Sequence, residues 1–161
     1  MKILHVNMSL DVIKGGGTVE RVLQLHNALL KSGVESHILT IDSPENDHQD
    51  NFLDSKITKL PCMNERWFIP SPQMVTVKKL VESADVVHIM NHWTLINVWI
   101  YLLARKLGKP YLICPAGALT IFGRSRIKKH LYQWIFGNKM LKNAAAVIAI
   151  SSHEVNFFEK L

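Results

Sequence analysis

The sequence predicts an α/β fold: a mainly parallel β-sheet covered by helices on both faces, making three layers. Three observations carry that prediction. Short β-branched runs alternate with segments of helical periodicity along the chain. Glycines stand where helical segments end, at Gly33 and Gly108. A length of 161 residues with 48% hydrophobic content suits one globular domain and excludes a disordered chain.

In the first half, residues 2–8 ("KILHVNM") read as a buried first strand, followed by a loop through Gly15, Gly16 and Gly17. From Thr18, apolar side chains at Val19, Val22, Leu23, Leu29 and Leu30 share one helix face, and Gly33 closes that helix. Residues 34–41 form the second strand. The polar, acidic residues 42–55 form a surface excursion, and residues 56–60 form a short third strand. Proline-punctuated "PCMNERWFIPSP" then leads to a helix near 72–83.

The second half repeats the alternation. Strands are expected at 85–90, 110–114 and 145–150, and helices over 94–108 and 125–141. Ser151 stands three residues before Glu154, the spacing of a capping box, so a last helix starts there. Ligands of parallel sheets bind beyond the carboxyl ends of the strands. The segments that matter are therefore 9–17, 91–94, 115–125 and 151–154.

Charge is unevenly divided. Residues 1–85 carry nine basic and eleven acidic side chains, a balance of −2. Residues 86–161 carry ten basic and two acidic, a balance of +8, and no acid lies between Asp85 and Glu154. One face or edge is expected to be strongly positive. Cys62 and Cys114 are too few for a disulfide framework or a zinc site. The start lacks the pattern of a signal peptide, and the longest apolar stretch is about half the ~20 residues of a membrane span. The expectation is a soluble, cytoplasmic chain.

Three segments are candidates for chemistry. Gly15, Gly16 and Gly17 allow close backbone approach, and the helix they open offers N–H groups to an anion; a plain flexible turn is the alternative. The P-loop pattern is absent, and a dinucleotide fingerprint would need glycine where Glu20 stands. Asp42, at the end of the second strand, is suitably placed for a ribose hydroxyl but gives weak support alone. In "HIMNHW", His88 reads as a core histidine. His92 lies just past the strand as a proton donor to a phosphate or hydroxyl, or as a surface loop residue, with Asn91 and Trp93 as polar and stacking neighbours. His5, His26 and His37 read as packing. Third, Pro115 and Gly117 mark a turn and Gly123 a bend. Arg124, Arg126, Lys128 and Lys129 then crowd a helix start, where an anion would relieve an unfavourable dipole; a solvated basic face is the alternative.

Taken in order, "MKILHVNMSL…GGGTVERVLQLHNALLKSGVESHILT", "ADVVHIMNHW", "GKPYLICPAGAL" and "NAAAVIAISSHE" resemble the N-terminal domain of family 4 glycosyltransferases of the GT-B fold. The likeness covers nearly all the chain and is weakest over 43–72, a variable acceptor-side region in that family. It implies a Rossmann-like, acceptor-side domain over residues 1–161, paired in the enzyme with a C-terminal donor-binding domain. It also implies retaining transfer of a sugar from a nucleotide-diphosphate donor without cofactor or metal. Gly16 and Gly17 would line the cleft near the diphosphate and acceptor. His92 or its neighbours would face the sugar or acceptor, and Ser151 and Glu154 would begin the segment towards the hinge.

The positive second half suits an acceptor bearing phosphate, such as a lipid-linked sugar or cell-surface polysaccharide precursor, or an anionic bilayer at the inner face of a membrane. Trp67 and Phe68 are stacking or core residues of the acceptor side. Two departures stand out. Family members often carry His or Arg at the position of Ala116, and the chain ends at Leu161 before the donor pocket, so it is expected to be inactive alone. The competing readings are a standalone binding module and a dinucleotide-dependent oxidoreductase domain. Nucleic acid is not expected, because no aromatic-interleaved basic strand is present.

Overall fold

The computed structural model describes residues 1–11, 15–42, 56–64, 68–119 and 125–160. Strand β1 (Lys2–Val6) is followed by helix α1 (Gly17–Lys31), β2 (Glu35–Asp42), β3 (Ile57–Asn64) and β4 (Ile69–Pro70). Next come α2 (Met74–Ser83), β5 (Val86–Met90), α3 (Leu95–Lys106) and β6 (Tyr111–Cys114). The chain then forms α4 (Arg126–Tyr132), a π-helical turn (Gln133–Gly137), α5 (Asn138–Lys142), β7 (Ala146–Val147) and α6 (Ser152–Phe158).

One sheet runs β4-β3-β2-β1-β5-β6-β7, parallel except for the β3–β4 pair. The expected three-layer α/β architecture is what the chain adopts. Leu4, Val6, Leu39, Ile41, Val87, Ile89 and Ile113 share one face and pack with Val77 and Val81 of α2 and Ile96, Ile100 and Ala104 of α3. Side chains alternate across a strand, so the other face carries His5, His88 and Met90. There α1 sets His26 edge-on to His5 and packs Val22 against Met90 and Cys114.

Several expectations needed revision. Strand β3 runs on through Pro61 to Asn64, and Ile69–Pro70 turn back antiparallel on it, which the prolines had concealed. Pro61 survives in the strand because the partner on that side is only a two-residue edge. The helix expected over 125–141 runs as one continuous helical stretch from Arg126 to Lys142, widened by a π-turn at Gln133–Gly137. Strand β7 has two residues rather than six, since it is an edge strand paired only with β6. The excursion expected over 42–55 lies, from residue 43, outside the described residues. Among the described residues, no helix is long and apolar enough to cross a membrane.

Candidate functional site

Strand order reverses between β1 and β5: the chain leaves β1 towards β2 and β3, then returns to the opposite side of β1 for β5, β6 and β7. Connections diverge there, and sheets of this kind bind their ligands in the crevice outside the carboxyl ends of the two strands at such a switch point. Its floor is held by an amide pair, in which Asn91 Nδ2 donates to Asn7 Oδ1 at 2.8 Å and Asn7 Nδ2 donates to the Ser9 carbonyl at 2.9 Å. Asn91 has φ 68°, a left-handed conformation that asparagine tolerates better than most residues. The Asn91 N–H donates to the Cys114 carbonyl, and Asn97 Nδ2 holds the carbonyls of Met90 and Asn91.

Gly15, Gly16 and Gly17 enter α1 above β1. Gly15 is required by packing: a Cβ there would lie 2.2 Å from Cγ2 of the fully buried Val19. Gly16 is the helix N-cap with φ 55°, and no side chain caps the first turn. Among the described residues, Cβ atoms at Gly16 and Gly17 would meet nothing within 4 Å. The turn therefore presents bare backbone, and N–H groups that no described side chain caps, at the positive end of a fifteen-residue helix, as an anion site requires. Asp42 ends β2, two strands from β5 on the same edge of the sheet.

The structure places His92 inside the protein, with no exposed surface, rather than on the open edge. Its Nε2 lies 2.7 Å from Gln133 Oε1, and Gln133 Nε2 donates to Asn138 Oδ1 at 2.8 Å. The carboxamide oxygen can only accept, so Nε2 of His92 carries the proton and Nδ1 keeps its lone pair. That buried Nδ1 has no hydrogen-bond partner among the described residues. Burial pushes the His92 pKa below its usual value, while the Gln133 bond opposes that shift. The imidazole is thus built as a neutral acceptor in a fixed tautomer.

Sequence reasoning missed Gln133 and Gly137. A Cβ at Gly137 would crowd Gln133 Oε1 and stand 2.9 Å from His92 Nε2, so a side chain there would force the Gln133 carboxamide or the imidazole to shift. A glycine inside an apolar helical pattern was the available signal. The π-turn over Gln133–Gly137 brings Gln133 onto His92. One residue earlier, the Tyr132 hydroxyl donates to the His92 carbonyl.

Trp93 is half-buried and largely engaged. Its indole N–H donates to the Ala118 carbonyl, Tyr132 tilts against its ring at 5.3 Å, and Lys129 Nζ lies 5.6 Å over it. Ala116 and Gly117 both have positive φ, 55° and 83°, and the Ala118 N–H closes the turn on the Pro115 carbonyl. Two positive φ values in succession make a tight reversal whose second position suits glycine. Glu154, only 2% exposed, takes the Gly117 N–H at 2.7 Å and the Ile150 N–H at 2.9 Å on its two oxygens. Both carboxylate oxygens thus tie the loop after β6 to the loop after β7. Only half of the expected capping box forms: Ser151 Oγ accepts the Glu154 N–H at 3.4 Å, but the Glu154 side chain serves Gly117 and Ile150 instead. Arg124, Gly123 and Trp67 lie outside the described residues, and Phe68 has φ 46° beside the core.

Beneath the crevice, Nδ1 of His5 and Nδ1 of His88 meet at 3.0 Å, so one ring donates and the other accepts. His26 Nδ1 pairs with Ser36 Oγ at 2.7 Å. Burial, and for His5 also the neighbouring His88 and His26, hold His5 down at about 3 and His88 at about 4. These residues form part of the core, as their strand and helix positions predicted. Cys114 is a free, buried thiol with its pKa raised by burial, which keeps it unreactive. Among the described residues, no cluster of three or more His, Cys, Asp or Glu is placed to hold a metal ion.

Among solved structures, HepE of Anabaena, crystallised with UDP and glucose, superposes with a TM-score of 0.64 at 14% identity over 99% of this chain and 41% of its own. A putative UDP-N-acetylglucosamine 2-epimerase of Listeria monocytogenes gives 0.66 at 12% identity, with 99% and 41% coverage. MurG of Acinetobacter baumannii gives 0.52 at 15% identity, with 91% and 40% coverage. At such identities the likeness speaks for the fold, the Rossmann-like half expected from the sequence. The chain spans about two fifths of the length of these proteins. No curated protein sequence matches it. A family model described as a glycosyl transferase 4-like domain matches residues 16–161.

Proposed function

The chain belongs to the glycosyl transferase 4-like domain family, and from that premise we propose that it is the N-terminal, acceptor-side domain of a retaining glycosyltransferase using a nucleotide-diphosphate sugar. The family match over residues 16–161 carries this reading. The HepE complex with UDP and glucose and the epimerase named for UDP-N-acetylglucosamine support a nucleotide-sugar donor. In the complete enzyme a second domain would hold most of the donor and close over this edge.

The chemistry asks for stabilisation of a leaving nucleoside diphosphate as the sugar–phosphate bond breaks. Here the uncapped N-terminus of α1 at Gly16 and Gly17 supplies N–H groups and dipole, without a metal. Asn91, fixed by Asn7, offers a polar wall at the strand reversal. His92 acts from behind, orienting this loop through Gln133 and keeping Nδ1 as an acceptor. Gly117 lets backbone approach the substrate, Glu154 positions Gly117, and Ser151 leads to the second domain. Arg124 and its basic neighbours attract the phosphate of a phosphorylated, lipid-linked acceptor.

The test is a thermal-shift screen of the protein carrying both domains against a panel of nucleotide sugars, then product analysis with lipid-linked acceptors. One nucleotide sugar should raise the transition and yield a product with retained anomeric configuration. No shift and no product with any member would refute the reading. Efficient transfer by the 161-residue chain alone would refute the division of labour between domains.

A further inference from the structure

Six buried side-chain polar atoms of the described residues lack a hydrogen-bond partner, and three of them, His92 Nδ1, Thr94 Oγ1 and Asn97 Oδ1, fall within one stretch of six residues. Native interiors leave few such atoms, and a cluster of them marks a place where a further hydrogen-bonding group belongs. The stretch joins the loop after β5 to the first turn of α3. Thr94 is the N-cap of that twelve-residue helix, yet its hydroxyl caps no N–H, and the first turn holds no acidic residue. The leading N–H groups of a helix find no carbonyl within it. Asn97 is fully buried and turns back over the helix start, where its Nδ2 donates to the carbonyls of Met90 at 2.8 Å and Asn91 at 3.1 Å. Its Oδ1 belongs to the same carboxamide and stays at that helix start. His92, also fully buried, reaches Gln133 with Nε2 at 2.7 Å. Nδ1 adjoins the ring carbon that carries Cβ, so it remains beside the loop backbone. Leu95, 49% exposed, and the part-exposed Thr94 leave this place one side chain below the surface.

We infer that these three atoms and the first turn of α3 form one binding site for a neutral O–H group, that of a water molecule or of a sugar hydroxyl. The atoms select this chemistry. His92 Nδ1 and Asn97 Oδ1 offer lone pairs only, so the occupant donates to both. Those same lone pairs repel a phosphate or a carboxylate. The positive end of α3 repels a cation, as does a second half of the chain with a balance of +8. An O–H group fits every partner, since its oxygen also accepts from the Thr94 hydroxyl or a first-turn N–H. Water donates twice and fills the site alone; a sugar uses two neighbouring hydroxyls. Once filled, the site ties the start of α3 to the loop that holds Asn91 in its left-handed conformation. Occupation by a sugar hydroxyl rests on the transferase reading; the site itself does not.

Nuclear magnetic resonance of the isotopically labelled chain tests it, through water–amide cross-relaxation at Ile96 and Asn97 and the ring nitrogen shifts of His92. In buffer, both amides should show cross-relaxation of the sign that a long-lived water gives. The His92 proton should sit on Nε2, and Nδ1 should resonate upfield of a free imidazole lone pair, as a hydrogen-bond acceptor does. Thr94→Val should weaken the water signals and return Nδ1 towards the free position, and Thr94→Ser should restore both. Glucose and N-acetylglucosamine, added as probes, separate the two sources. Water signals that persist identify the occupant as water, and their replacement by signals from sugar protons identifies it as a sugar hydroxyl. Nδ1 at the free position with and without these sugars, a proton on Nδ1, or water signals undiminished by Thr94→Val would each overturn the inference. A filled site in a protein that transfers no sugar leaves the inference standing and counts against the transferase reading alone; sugar transfer with Nδ1 free does the reverse.

Discussion

Gly137 governs the buried side of the crevice, because its missing Cβ is what admits the Gln133–His92 hydrogen bond. Gly137→Ala must push the carboxamide or the imidazole aside, a cost of about 1–3 kcal/mol. Gly17→Ala, in a first helical turn where no described residue comes within 4 Å of the added Cβ, should cost nothing measurable or stabilise slightly. Urea unfolding of both variants measures the difference, and equal midpoints would dismiss the close-approach argument. The glycine triplet was legible in the sequence because consecutive glycines before a helix are rare without cause. Gly137 was not, because its reason lies in how Gln133, four positions earlier, is held against His92, 45 positions away. The histidines make a second prediction at this scale. Unfolded histidine takes its proton near pH 6.5, whereas folded His88 and His5 resist until about 4 and 3. Between those values the unfolded state binds more protons, so stability falls as pH drops through the window. The slope is up to about 1.4 kcal/mol per pH unit for each histidine, and nothing is lost above pH 7. Thermal transitions from pH 7 to pH 4 should fall less steeply for a His5→Leu, His88→Leu variant; parallel slopes would mean other groups are responsible.

Among the elements, the loops after β5, β6 and β7 act together because side chains stitch them. Trp93 holds the loop after β6, Tyr132 the loop after β5, and Glu154 joins the loops after β6 and β7. Glu154→Gln keeps one good acceptor but turns an amide N–H towards a backbone N–H. It should destabilise by about 1–3 kcal/mol and speed hydrogen exchange at the Gly117 and Ile150 amides. Unchanged exchange at both amides would show that the carboxylate is not the tie. The Ser151–Glu154 spacing announced the start of α6, and the helix does start there, yet the carboxylate went to a partner 37 residues away. Local spacing cannot register that competition. The π-turn between α4 and α5 was hidden for the same reason, since periodicity reads residues 125–141 as one helix but not the local widening within it.

For the whole molecule, the −2 and +8 halves acquire positions: the +8 half supplies β5 to β7, α3 to α6 and the side of the sheet beyond β1 on which β5 lies. The sequence by itself determined the alternation of strands and helices, the core faces, the basic half and the family, because hydrophobic period and charge are properties of neighbours along the chain. Only the tertiary structure decided that Asn7 meets Asn91, that His92 turns inward to Gln133, that Glu154 is consumed by backbone, and that Ile127, Leu131 and Trp134 stay uncovered. Each of those outcomes depends on groups dozens of residues apart competing for the same hydrogen bond or the same buried volume, and that competition exists only once the sheet has assembled.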